Sequence, residues 1–211
     1  MLNIYRLLYN DFGPRHWWPA DTRFEIIIGA ILTQNTAWNN VRKAILNLKK
    51  KGLLKVKALS RISEERLAKL IRPAGYYNIK SRRIKNFLNF LNTVYNGNIS
   101  GMLKTETRRL REELVNISGI GPETADSILL YAGRKPVFVV DAYTKRIFSR
   151  HGFVEEDADY EEVQGLFLEN LPEDVGLFNE FHALIVEAGK NLCKSKKPLC
   201  NKCPIGRIKN G

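Results

Sequence analysis

The residue in this chain that is best suited to chemistry is Asp141, which follows an apolar run and stands twenty residues after Gly121. A carboxylate can stabilise positive charge that develops on a reacting group and help to activate an attacking water. Asp141 also precedes the helix-like run Ala142-Tyr143-Thr144-Lys145-Arg146, which its side chain could cap. The two roles are compatible, and capping alone is the alternative.

A glycine turn precedes this aspartate and reads Gly119-Ile120-Gly121. The two glycines permit positive φ and close backbone approach, and Pro122 suits the first position of a helix because its missing N–H would be unpaired there. A helix that begins at about Pro122 would offer its N–H groups and the positive end of its dipole to one phosphate. A turn that merely connects two helices is the alternative for these residues alone.

The elements that must position these residues are predicted to be helical nearly throughout, so the expected fold class is all-α. Helix-like apolar spacing recurs along the chain, with short breaks near Gly52, Gly75, Gly97 and Gly133. The run Val137-Phe138-Val139-Val140 has the β-branched composition of a strand, but it is isolated. We expect it to be a buried connection.

The charge of the chain favours a polyanion as its partner. The 211 residues contain 34 Lys and Arg against 22 Asp and Glu, a formal net charge of +12, and the pI is near 9.7. The sequence has no apolar run of membrane-spanning length and no signal-peptide pattern, and its odd number of cysteines does not suggest a secreted disulfide framework. We expect a cytoplasmic protein that makes no membrane contact and is a monomer.

The stretch from Ile117 to Asp126 reads I-S-G-I-G-P-E-T-A-D and has helix-like spacing on both sides. It is similar to a helix-hairpin-helix motif. Together with Val139-Val140-Asp141, it resembles the endonuclease III superfamily of DNA base-excision glycosylases, and the resemblance extends over almost the whole chain.

This resemblance implies two helical domains with an interdomain cleft that binds double-stranded DNA containing a damaged base. A six-helix domain over 22–133 would end in the hairpin. The second helical domain would combine 1–21 with 134–211 and would carry Asp141 and a C-terminal cysteine loop.

Glu123 stands where bifunctional members of that superfamily carry a lysine, which attacks the sugar and forms a Schiff base. A carboxylate cannot do this, so the resemblance implies a monofunctional enzyme with weak or absent AP lyase activity. The pattern G-I-G-x-E-[ST]-A-D is similar to the branch that excises 3-methyladenine, which would place Glu123 at the base pocket. Favourable charge in the first turn of a helix is the alternative role for this side chain.

The three tryptophans, Trp17, Trp18 and Trp38, all fall within the first forty residues. An enzyme that acts on a base must extrude it from the duplex and hold it in a pocket where aromatic faces stack on it. Electron-poor alkylated purines should stack especially well on indole. The matching aromatics line that pocket in the alkylpurine branch, so the resemblance implies this role here, with core packing as the alternative.

The same resemblance implies five DNA-contacting residues. Gln34 matches the residue that fills the gap left by the extruded base, and Lys80 lies in a G-x-Y-x-x-K segment that would contact the backbone. Gly119, Gly121 and Thr124 would supply contacts from the hairpin. A polar helix end for Gln34 and solvated helix charge for Lys80 are the alternatives.

Cys193, Cys200 and Cys203 follow the spacing C-x6-C-x2-C, which matches the first three ligands of the superfamily's iron–sulfur loop. The fourth ligand position would fall on Lys209, and lysine is a poor substitute for a thiolate. We expect a [4Fe-4S] cluster held by three thiolates and a further ligand. A loop that has lost its cluster and a structural zinc ion are the alternatives.

These features predict a base excision repair glycosylase that hydrolyses the N-glycosidic bond of alkylated purines such as 3-methyladenine. One alternative is an endonuclease III-like glycosylase and AP lyase for oxidised pyrimidines that uses some other lysine. A glycosylase for mismatched or deaminated bases and a non-catalytic DNA-binding module are the others.

Overall fold

The computed structural model describes residues 1–208, which form twelve α-helices and no β-strand. The all-α prediction is confirmed. None of the helices in this part of the chain is both long and apolar enough to cross a membrane. The helices are α1 Leu2–Phe12, α2 Arg23–Thr33, α3 Trp38–Lys50, α4 Val56–Arg61, α5 Glu64–Leu70, α6 Tyr77–Tyr95, α7 Ile99–Lys104, α8 Thr107–Val115, α9 Pro122–Ser127, α10 Ala142–Arg150, α11 Tyr160–Asn170 and α12 Val175–Asn191. A π-helical turn, Ile128–Ala132, continues α9, and 3₁₀ turns occupy Arg72–Ala74 and Cys200–Lys202.

Side-chain caps determine where several of these helices begin. The Thr22 side chain accepts a hydrogen bond from the N–H of Glu25 at the start of α2. Asp159 and Glu162 form a reciprocal capping box at the start of α11. Each such cap typically contributes about 1 kcal/mol to stability, so the capping residues help to fix where these helices begin.

The chain divides into two compact units. One unit is Ala20–Arg134, and the other combines Met1–Pro19 with the chain from Lys135 onward. The first unit contains eight α-helices, where the resemblance implied six, and α4, α5 and α7 have only six or seven residues each. The predicted cleft and the division of roles between the domains stay predictions.

Helix α2 lies at the centre of the Ala20–Arg134 unit. Eight of its eleven residues are buried, as expected for a helix that is apolar on all sides. It packs against α3, α6, α9 and the π-helical turn. The side chains of Ile27, Ile28, Ile31 and Leu32 are fully buried, so the end of α2 is anchored in the core.

A cluster of phenylalanines forms the core of the other unit. The Phe138 and Phe167 rings stack with centroids 3.8 Å apart, and Phe178 and Phe181 meet Phe138 edge to face. Phe138 belongs to the irregular, buried segment 137–140, which confirms the predicted buried connection. This packing fixes the backbone immediately before Asp141.

Candidate active site

Asp141 ends the buried connection and caps helix α10. Its Oδ1 atom accepts hydrogen bonds from the backbone N–H of Thr144 at 2.7 Å and from the Thr144 hydroxyl at 2.9 Å. Its Oδ2 atom lies 3.8 Å from Nε2 of His182, and the Asp141 side chain is 14% exposed. The predicted N-cap is confirmed, and the cap uses one carboxylate oxygen while the other faces the imidazole.

His182 is a buried residue of α12. Burial lowers the pKa of its imidazole, and the negative charge of Asp141 acts in the opposite direction. The neutral imidazole is therefore favoured near pH 7. Sequence reasoning missed this residue, because it lies 41 positions from Asp141 and belongs to no motif.

The two glycines of the hairpin have different structural roles. Gly119 has a φ of +93°, and a Cβ built there would lie 2.3 Å from Cγ of Arg83, so both conformation and space require glycine. Gly121 has a φ of −92° as the N-cap of α9, and nothing lies within 4 Å of a Cβ built there. Only Gly119 uses the positive φ that the sequence permits at both positions. Helix α9 begins at Pro122, as predicted.

An ion pair fixes the two helices of the hairpin to each other. Arg111 of α8 donates to both carboxylate oxygens of Asp126 on α9, at 2.8 and 3.1 Å, and the Asp126 side chain is fully buried. Bidentate pairs of this kind impose a defined geometry. Asn86 of α6 adds a hydrogen bond of 3.0 Å to the carbonyl of Ser118, so the hairpin is held by a third helix as well.

Gln34 lies at the end of α2 and is folded onto the hairpin. Its Nε2 atom donates to the carbonyl of Gly119 at 3.0 Å and to Oγ1 of Thr124 at 2.9 Å. Its Oε1 atom accepts a hydrogen bond from the Arg83 guanidinium. The structure thus brings together three of the predicted DNA-contacting residues and adds Arg83 to them.

Lys80 is not on the surface, which differs from its predicted contact with the DNA backbone. Its side chain is 1% exposed, and Nζ donates to the carbonyls of Leu32 at 2.9 Å and Ala74 at 2.8 Å. Burial lowers its pKa to about 8, and the positive charge of Arg83 acts in the same direction. A buried amine that is bonded to two carbonyls ties the end of α2 to the turn before α6 and cannot reach a phosphate.

The residues predicted for the base pocket are divided between the two units. Trp17 and Trp18 are half-buried and contact each other, with ring centroids 5.3 Å apart. Trp38 is the half-buried first residue of α3, and Glu123 is an exposed residue in the first turn of α9. That these four side chains line one pocket stays a prediction.

The three cysteines lie around one small cavity, which His151 also lines. Arg150 of α10 donates to the thiol of Cys193 at 3.3 Å and to the carbonyls of the next two residues at 2.7 and 2.6 Å. Burial raises the pKa of the Cys203 thiol, which favours its neutral form. Arginine contacts therefore organise this loop.

The model of the HhH-GPD superfamily of base excision DNA repair proteins matches residues 28–173. The match includes the hairpin and Asp141 and covers more than half of the chain. The chain belongs to this superfamily. It is therefore a base excision repair DNA glycosylase in the broad sense of that family.

Individual relatives are similar over nearly the whole chain. A candidate DNA repair glycosylase of Methanocaldococcus jannaschii is 52% identical over 204 residues, which are 96% of this chain and 92% of that protein. The structure of a Helicobacter pylori 3-methyladenine DNA glycosylase bound to 1,N6-ethenoadenine has a TM-score of 0.78 at 30% identity, covering 89% of this chain and 96% of the other. A trapped covalent complex of endonuclease III with DNA has a TM-score of 0.82 at 25% identity, covering 96% and 91%.

The cysteine loop of this HhH-GPD protein does not fit the iron–sulfur site expected from the resemblance. Among residues 1–208, no group of three or more Cys, His, Asp or Glu side chains is arranged to hold a metal ion. Lys209, the expected fourth position, lies outside the described residues. The cluster stays a prediction, and no chemical step below depends on it.

Proposed function

We propose that this HhH-GPD protein is a monofunctional DNA glycosylase that releases alkylated purines by water attack. The observation that carries the proposal is the carboxylate of Glu123 in the first turn of α9. A Schiff base requires an amine nucleophile, so a carboxylate at this position favours hydrolysis over strand cleavage. The H. pylori relative named as a 3-methyladenine glycosylase supports alkylated purines as the substrate class.

Asp141 supplies the chemistry in this proposal. As the C1′–N bond breaks, the bonding electron pair leaves with the base, and the oxygen of water forms a bond to C1′ as the water loses a proton. The carboxylate stabilises the positive charge on the sugar and helps to activate the water. An alkylated purine that carries positive charge leaves as a neutral base, so one carboxylate suffices and no second acid is required.

Recognition of the base is assigned to the aromatic residues. We propose that Trp17, Trp18 and Trp38 stack on the extruded purine, and that Glu123 contacts its edge. A positively charged purine is attracted to an indole face by a cation–π component of about 0.5 to 2 kcal/mol. This contribution would favour alkylated purines over normal ones.

The partner in this proposal is double-stranded DNA that contains the damaged base. The hairpin backbone at Gly119 and Gly121 would hold one phosphate, with Thr124 beside it. Gln34 would fill the space left by the extruded base. The ion pair between the two hairpin helices and the attachment of the hairpin to α6 suit this role, because a fixed set of amides loses little entropy on binding.

An endonuclease III-like activity is the second candidate. It is favoured by the similarity to the endonuclease III complex trapped covalently on DNA. In this chain the nucleophile would have to be an amine other than residue 123. A glycosylase for mismatched or deaminated bases and a non-catalytic module are further outcomes of the same test.

The decisive experiment measures release of 3-methyladenine, 7-methylguanine, uracil and thymine glycol from defined duplexes, with and without alkali. We expect release of the alkylated purines, strand breakage only after alkali, no adduct trapped by borohydride, and no release by Asp141→Asn. A trapped adduct with breakage before alkali would establish the endonuclease III-like activity instead. Release of uracil alone would favour a deaminated-base enzyme, and an absence of any release would favour the binding module.

The cofactor is tested separately from the base specificity. Iron and zinc analysis of anaerobically purified protein, together with its visible absorption spectrum, distinguishes the three alternatives for the cysteine loop. Brown, iron-containing protein would establish the cluster, and zinc without iron would establish the structural metal. Colourless protein free of both metals would establish a loop that has lost its cluster.

A further inference from the structure

We propose that His182 is a positioning residue for Asp141, whose imidazole holds the Oδ2 atom of the carboxylate in the orientation that base release requires. This inference rests on the proposed function, in which Asp141 stabilises the sugar cation and activates the water.

The helix cap leaves the Asp141 carboxylate only partly fixed. Both hydrogen bonds from Thr144 end on Oδ1, so Oδ2 can still rotate about the anchored oxygen. A second point of contact is needed to select one orientation. Nε2 of His182 provides it at 3.8 Å from Oδ2, beyond the usual hydrogen-bond range of about 2.7 to 3.2 Å. Contacts of this kind often shorten when substrate binds.

A neutral imidazole suits this position better than a cation would. Burial of His182 favours the uncharged ring, while Asp141 opposes that effect. A neutral N–H can orient a carboxylate and leave its negative charge intact. A lysine or arginine at the same place would neutralise the charge that the sugar cation needs. Since the side chains of His182 and Asp141 are only 8% and 14% exposed, water does little to weaken the interaction.

The backbone that carries His182 is held from several directions. Helix α12 packs against α10 and α1. Phe181, the preceding residue, meets Phe138 edge to face and contacts the Tyr5 ring of α1, with centroids 5.5 Å apart. Asp141, at the start of α10, is the charged group whose field acts on the imidazole. A side chain on so rigid a helix can define the position of another.

Two variants of His182 separate positioning from packing. His182→Leu keeps a side chain of similar volume but removes the donor, and His182→Gln keeps an N–H donor that cannot titrate. We expect the single-turnover rate of base release by His182→Leu to fall about 10- to 100-fold, because a small misplacement of a reacting group can cost about 100-fold in rate. Its Kd for lesion-containing duplex should change by less than about threefold, because phosphate contacts dominate affinity. His182→Gln should recover a rate within about fivefold of wild type.

The kinetic result overturns the proposal if His182→Gln is as slow as His182→Leu, or if the rate of His182→Leu equals that of wild type. Loss of DNA affinity in parallel with the rate would indicate a general structural role instead. Thermal unfolding of both variants shows whether each one folds.

A second measurement does not depend on the substrate. The chain has three histidines, so the His182 ring can be followed by NMR and assigned with the His182→Gln variant. Removing the charge of residue 141 in Asp141→Asn should lower the titration midpoint of His182 by about half a unit or more. An unchanged midpoint would overturn the positioning contact even if the glycosylase acts on some other base. If wild type releases no alkylated purine while the midpoint does shift, the proposed function fails and the contact stands.

Discussion

Gln34 is held by contacts that it must give up if it fills the space left by an extruded base. Its amide bonds to Gly119 and Thr124 and its contact with Arg83 keep it on the hairpin. The two bonds that the amide donates are each worth a net free energy of about 0.5 to 1.5 kcal/mol, and the bond from the charged guanidinium is worth about 1.5 to 3 kcal/mol. Base extrusion costs a few kcal/mol. To offset this cost, the Gln34 side chain would have to contribute a comparable free energy when it fills the space left by the base.

We predict that Gln34→Ala reduces base extrusion more than DNA binding. The fluorescence of 2-aminopurine at the target position should rise less than with wild type, and base release should slow about tenfold, since an unfilled stack favours return of the base. The Kd for undamaged duplex should stay within about threefold. Asn86→Ala is the matched control, because it removes a hairpin contact to Ser118 and leaves Gln34 in place. Equal effects of the two substitutions would contradict this role of Gln34.

Lys80 should make folding stability depend on pH in the alkaline range. Its pKa is lowered from the ordinary value of 10.5 to about 8 by burial. Between these values the unfolded chain binds more protons than the folded chain, so the free energy of unfolding rises with pH. Relative to Lys80→Gln, wild type should gain about 2 kcal/mol from pH 7 to 9.5 in urea unfolding. Identical pH profiles for the two proteins would show that the amine keeps its ordinary pKa.

The sequence allowed the cap at Asp141 to be predicted but not the roles of Lys80 and His182. The partner of the cap, Thr144, lies three residues away, and such local contacts follow from residue type and spacing. The carbonyl partner of Lys80 at Leu32 lies 48 residues away, and His182 lies 41 residues from Asp141. Only the folded chain brings these groups together, so a motif that suggested a surface lysine gave the wrong environment.

At the level of elements, the two glycines of the hairpin differ in what the fold requires of them. Gly119 has a positive φ and no space for a Cβ beside Arg83, whereas Gly121 has an extended backbone with open space where a Cβ would stand. Gly119 is therefore required by the fold, while Gly121 leaves its backbone exposed, as the proposed phosphate contact needs.

We predict that Gly121→Ala folds with nearly wild-type stability but binds DNA about tenfold or more weakly, because its methyl group blocks close approach to the backbone. Gly119→Ala is the paired comparison and should lower the free energy of unfolding by about 1 to 3 kcal/mol through strain and overlap with Arg83. Urea unfolding and fluorescence anisotropy on an undamaged duplex measure the two effects. Tight binding by Gly121→Ala would rule out the hairpin backbone as a phosphate site.

Prediction of the elements succeeded where local signals were strong. Pro122 marked the start of α9, and the buried connection before Asp141 was recognised from isolated β-branched residues between a proline and a cap. The short helices α4 and α7 were not recognised, since six residues give fewer than two turns of periodicity. The ion pair of Arg111 with Asp126 also escaped prediction, because it joins residues across the turn.

For the molecule as a whole, the excess of positive charge is the property that most directly concerns a nucleic-acid partner. The formal charge of +12 was evident from composition. The expected contacts of the hairpin do not depend on the DNA sequence, because backbone amides would make them to phosphates. Amide contacts release few counterions, whereas lysine and arginine contacts release about 0.9 per phosphate. The salt dependence of the association constant therefore reports the number of lysine and arginine contacts to phosphates and responds little to the amide contacts of the hairpin.

We predict that the logarithm of the association constant for duplex DNA falls with the logarithm of salt concentration with a slope of about −4 or steeper. This slope corresponds to about a third of the excess charge facing phosphates. Lesion-containing and undamaged duplexes of equal length should give the same slope, because their phosphates are the same. Gly121→Ala should weaken binding at every salt concentration without changing the slope, since it blocks neutral amides and removes no cation. Fluorescence anisotropy from 50 to 300 mM salt measures this. A slope near zero, or one that becomes shallower in Gly121→Ala, would contradict the separation of charged side-chain contacts from hairpin contacts.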